Sequence, residues 1–143
     1  MSEVAFFLPG MLPSKWLSPN RGERKAGRVP IAISEAKAQM RADVAIGALA
    51  AISRDQEVID PAHIFLSLRW CKRSRDGRYR PDDAGNAIYA LKAAIDGLID
   101  ANLILDDDYK HVPLLTGSVE RCAIKAEEGL YVRILEIPTS PEV

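Results

Sequence analysis

The run IAISEAKAQMRADVAIGALAAI, from Ile31 to Ile52, restricts the fold more than any other stretch of the chain. It is rich in Ala, its apolar residues recur at helical spacing, and Pro30 stands near its start, so it predicts a long helix over about 31–53. Strand patterns flank it. Residues 3–9 (EVAFFLP) suit a short strand closed by Pro9 and Gly10, and residues 62–70 (AHIFLSLRW) alternate, with Ile64, Leu66 and Leu68 on one face and Phe65 and Ser67 on the other. A long helix between two strands has to pack on the sheet they help to form.

Beyond this unit comes a basic loop, 71–80, with a turn signal at Asp76-Gly77. Asp82 or Asp83 can cap a second helix, whose residues Ile88, Leu91, Ile95, Leu98 and Ile99 share one face while Lys92 and Asp96 lie along its edge. That helix is predicted to end near Ala101-Asn102. Two further strands are expected, roughly 112–124 and 130–137, linked through Glu127-Glu128-Gly129. The order strand, helix, strand, helix, strand, strand predicts an α/β or α+β domain, two helices packed on a small mixed sheet. It occupies residues 1–138, with 139–143 as a flexible tail.

With 143 residues, 48% hydrophobic and 27% charged, the chain has the composition of a globular protein with one core. No apolar run approaches the roughly 20 residues of a membrane-spanning helix. The stretch MSEVAFFLPGM carries an early Glu and no basic lead, and so reads as a first strand and not as a signal peptide; a cytoplasmic location is expected. Cys71 and Cys122 lack CxxC spacing, and His63 and His111 form no His/Cys cluster, so these four residues read as structural. Any bound metal should be held by oxygen.

The net charge of −1 conceals segregation. Residues 15–28 contain Lys15, Arg21, Arg24, Lys25 and Arg28 against Glu23, and residues 69–80 contain Arg69, Lys72, Arg73, Arg75, Arg78 and Arg80 against Asp76. These stretches together carry 11 basic and 2 acidic residues, leaving 8 basic and 18 acidic in the rest of the chain. Arg-rich loops of this kind suit phosphate, although solvated loops would have the same composition. Acid gathers at Asp82-Asp83 and again at Asp106-Asp107-Asp108. A second helix of about 17 residues would be roughly 25 Å long, so the two groups meet only if that helix is shorter or the chain after residue 103 runs back along it. Converging carboxylates must share a proton or a cation, and magnesium needs only one or two of them plus phosphate and water. Otherwise Asp83 is a helix cap and the DDD run a solvated turn.

The segments RPDDAGN and LKAAIDGLIDANLILDDDYKHV resemble the core of the RusA-type Holliday junction resolvases of bacteria and phages. Asp83, Asn86, Lys92, Asp96-Gly97-Leu98 and Asp106-Asp107 stand at the places of that family's acidic motif, lysine, helix turn and aspartate pair. LPSKWLSPNRGERKAGR, which includes Asn20, is similar to its N-terminal loop, and the final strands to its C-terminal end. The resemblance implies a homodimeric, magnesium-dependent endonuclease, with manganese as an alternative ion, that nicks four-way DNA junctions. It implies Asp83 and Asp107 as metal-binding catalytic carboxylates, Lys92 as the catalytic lysine, Asp106 and Asn86 in support, and the basic residues on the DNA arms. Gly85 stands where the family has a second aspartate. Asp82 takes that place if the turn shifts by one residue; otherwise the chain is expected to bind junctions without cutting them. An interaction domain for an acidic protein partner is the reading from a different class.

Overall fold

A computed structural model of the chain describes residues 2–13, 17, 28–71 and 91–139. The elements are β1 (Glu3–Pro9), α1 (Arg28–Ala51), β2 (Ala62–Cys71), α2 (Lys92–Asp100), β3 (Leu114–Cys122) and β4 (Gly129–Glu136), with a 3-10 turn at Lys125–Glu127. The strands lie in the order β1-β4-β2-β3. β4 is antiparallel to both neighbours, and β2 and β3 are parallel. β1, β2 and β3 therefore point the same way, and the connections through α1 and α2 both step in one direction across the sheet. Because such crossovers are right-handed, both helices fall on the same face. The result is the α+β architecture predicted, two helices on a mixed four-stranded sheet.

Strand register builds the core in rows. Val132 stands between Phe6 and Leu66, Leu130 between Leu8 and Leu68, and Ile134 between Val4 and Ile64. All of these are buried except Val4, which packs against the cluster from its edge. From above, α1 lays down Met40, Val44 and Ala48, one narrow stripe at four-residue spacing, and α2 adds Ala94, Ile95 and Leu98. The rest of the apolar surface of α1 is not core: Ile46 and Leu49 are 68% and 56% exposed. The last two strands do not pair with each other. They flank β2, and β4 begins at Gly129, whose φ of 152° and close approach to the Leu8 carbonyl oxygen leave no room for a side chain.

α2 begins at Lys92 with Leu91 as N-cap and no side-chain cap; Asp82 and Asp83, expected as caps, lie outside the described residues. At nine residues the helix is roughly 13 Å long. It ends as expected, in a Schellman turn: Asn102 takes φ 59°, its N–H donates to the Ile99 carbonyl, and the Leu103 N–H donates to that of Leu98. The two helices meet at Gly97, where a β-carbon would lie 2.7 Å from the Arg41 carbonyl oxygen and 2.9 Å from Val44 Cβ. One turn on, Arg41 Nε and Nη2 donate to the two carboxylate oxygens of Asp100 at 2.6 and 2.8 Å. The bonded guanidinium holds Asp100 below the usual carboxylate range.

On the opposite face of the sheet, arginines cover aromatic rings. Arg69 lies over Phe7 and Tyr131, and Arg133 over Phe65 while bonded to Glu3 at 2.7 Å. Among the described residues no helix is long and apolar enough to cross a membrane.

Gly97→Ala is expected to force α1 and α2 apart and to cost about 1–3 kcal/mol in urea denaturation. Gly47→Ala, whose added methyl meets only the flexible end of Leu8, should cost less.

Candidate active site

The acidic run is shaped by the way α2 stops. After the Schellman turn Leu103 and Ile104 are buried, and the Leu103 carbonyl accepts the Ile59 N–H at 2.9 Å, which pins the chain to the segment before β2. From Leu105 the chain emerges into solvent. The Asp107 N–H donates to Asp106 Oδ1 at 2.7 Å, so the two carboxylates are neighbours. Asp108 closes the next turn: its carbonyl accepts from Val112, and its Oδ1 accepts the backbone N–H groups of Lys110 and His111 at 3.1 and 3.0 Å.

Asp107 also comes within electrostatic reach of Asp96, one helical turn before the end of α2. Partial withdrawal from water, then its contact with the Asp106 side chain and the charges of Asp96 and Asp106, push its carboxyl above the usual range. Asp107 thus feels the charge of Asp96, while Asp82 and Asp83, towards which a return along the helix was expected, lie outside the described residues. Lys92, four residues before Asp96 and on the same helix face, is exposed. Among the described residues Lys92 makes no hydrogen bond or ion pair, and the structure brings it to Asp96 only through this helical spacing.

Most of the other sequence candidates, Asp82, Asp83, Asn86, Lys15, Asn20, Arg21, Arg24, Lys25, Lys72, Arg73, Arg75, Arg78 and Arg80, lie outside the described residues, as does Gly85. Arg28 is the first residue of α1. Arg69 belongs to β2 and not to the loop after it; its Nε stands 3.3 Å from Glu120 Oε2 on β3.

Two participants were not singled out as site residues by sequence. Asp96 was placed only on the helix edge and in the helix-turn motif. His111, read as structural, sets its Nδ1 2.8 Å from Asp60 Oδ1, with Asp108 Oδ1 4.0 Å from its Nε2. The only local signal for His111 was its place three residues after the acidic run; Asp60 is remote in sequence and could not be paired with it by spacing.

Among the described residues no three His, Cys, Asp or Glu side chains come together closely enough to hold a metal ion. Asp106 and Asp107 are hard oxygen donors in mutual repulsion, the chemistry that suits magnesium, which otherwise keeps water and substrate oxygens. No family model matches the chain, and no curated protein matches it.

The Asp60 hydrogen bond, with the charges of Asp108, Asp60 and Asp106, raises the His111 pKa despite some burial. The imidazolium then contributes stability fully below the ordinary histidine pKa of about 6.5, and that contribution is lost as pH rises through the higher folded value. NMR titration of the His111 ring is expected to give a value above the ordinary one, falling back towards it in Asp60→Asn.

Proposed function

We propose that the chain is a structure-selective, metal-dependent DNA endonuclease that resolves four-way junctions by paired nicks, working as a homodimer with magnesium. The observation that supports this reading is the electrostatic coupling of Asp107, next to Asp106, with Asp96 of α2, one helical turn from Lys92. In this reading Asp106 and Asp107 make one half of the acidic site that the sequence motif calls for, and Lys92 lies one turn before Asp96 on α2.

In this reading Asp83, Asp106 and Asp107 hold the ion, and Asp82 contributes if the turn before α2 is shifted. A magnesium ion held by these carboxylates would supply Lewis-acid polarisation of the scissile phosphodiester. The Lys92 ammonium faces the negative charge that develops there, a role that strengthens as charge builds. The basic stretches 15–28 and 69–80 hold the DNA arms through phosphate, which fixes position with little sequence readout. A two-fold dimer presents the same site to both scissile strands of a symmetric junction.

Nicking of a synthetic four-way junction is expected to require a divalent ion and to fall by about 10²-fold or more in Lys92→Ala and in Asp107→Asn. Cleavage without divalent ion, or cleavage indifferent to both changes, contradicts the reading. Gly85 favours a second reading, a junction-binding protein that does not cut. Tight, salt-sensitive junction binding without nicking, with cleavage restored in Gly85→Asp, would establish it.

A further inference from the structure

The loop that carries the acidic run is stitched at both ends to one short segment that leads into β2, residues 59–62. The Ile59 N–H donates to the Leu103 carbonyl at 2.9 Å, and the Ala62 N–H donates to the His111 carbonyl at 2.8 Å. Between these two backbone bonds residues 105–110 bulge outward, all exposed. One side-chain bond crosses the same gap, from His111 Nδ1–H to Asp60 Oδ1 at 2.8 Å. Its partners are only 31% and 32% exposed, so water competes for it less than for a surface pair.

We infer that His111 is a positioning residue for the proposed metal site: by clasping Asp60 it holds the turn built on Asp108, and with it sets where Asp106 and Asp107 stand. The inference rests on the endonuclease reading for its purpose, but its geometry is independent of that reading. The His111 N–H donates to both the carbonyl and Oδ1 of Asp108, so the residue that grips Asp60 also closes the turn directly after Asp107. The charged groups facing the imidazole are all acidic, Asp60 from the segment before β2 and Asp106 and Asp108 from the loop itself. His111 is thus also the basic group set among these carboxylates. With the two backbone bonds intact, loss of the ring leaves the fold in place and frees the loop between them.

Two replacements separate this role from the charge. His111→Asn and His111→Ala both remove the imidazolium, and only Asn keeps an N–H donor close to the position of Nδ1. Amide hydrogen exchange at Asp107 and Val112 is expected to be clearly faster in His111→Ala than in His111→Asn. Titration with Mn2+ alone, followed by paramagnetic broadening of the Asp106 and Asp107 amide signals, is expected to show about tenfold weaker binding in His111→Ala than in His111→Asn. Equal exchange in the two variants overturns the clasp. Unequal exchange with equal Mn2+ affinity overturns its role at the site. A parent protein whose Asp106 and Asp107 signals ignore Mn2+ overturns the metal reading itself, and with it any service of His111 to that site, while the exchange comparison still reports on the clasp.

Discussion

At Gly97 the two helices lie so close that a single added carbon would strike a carbonyl oxygen, and the placement of the candidate site follows from that contact. Close packing fixes the distance between α1 and α2. The bidentate Arg41–Asp100 bond one turn later fixes the rotation of α2 about its own axis. With both set, Leu91, Ile95 and Leu98 must face the core, and Lys92 and Asp96 must lie outside it. The Schellman turn at Asn102 then ends the helix, Leu103 is tied to Ile59, and the acidic run that follows has Asp107 within electrostatic reach of Asp96. A larger residue at position 97 would disturb the site without touching any of its members.

The second governing feature is electrostatic. Asp107 is held where its charge is disfavoured, by partial loss of water and by neighbouring carboxylates. Asp106 and Asp108 each accept backbone N–H groups of the loop, while Asp107 is the one whose carboxyl is pushed up. The nearby histidine relieves part of the repulsion, and a divalent ion would relieve more. Arg69, in contrast, is paired in charge with Glu120 and lies over the Phe7 and Tyr131 rings, although its buried Nε makes no hydrogen bond. Basic side chains within the sheet thus help to keep the face without helices compatible with water.

Much of the fold was legible because its signals are periodic. The alternation of AHIFLSLRW identified β2 and its buried face, and the Ala-rich run identified α1, since each pattern repeats over a whole element. The start of α2 was not readable from sequence. Asp82 and Asp83 make a good capping signal, yet the helix begins at Lys92 behind Leu91, without a side-chain cap. Nor does periodicity tell a hairpin from two strands that flank a third, so the separation of β3 and β4 by β2 was not readable. At the site, Asp106, Asp107 and Lys92 were visible as residue types in a spaced pattern. The Asp60–His111 bond was not, because it depends on two segments that only the sheet brings together.

The central proposal is that Asp107, whose carboxyl is raised above the usual range beside Asp106 and Asp96, binds a divalent cation. Its side-chain pKa, followed by carboxyl carbon NMR with and without magnesium, tests this directly. The account predicts a value above that of an ordinary aspartate in the metal-free protein and a fall when magnesium is added. An ordinary value that magnesium leaves unmoved would contradict it.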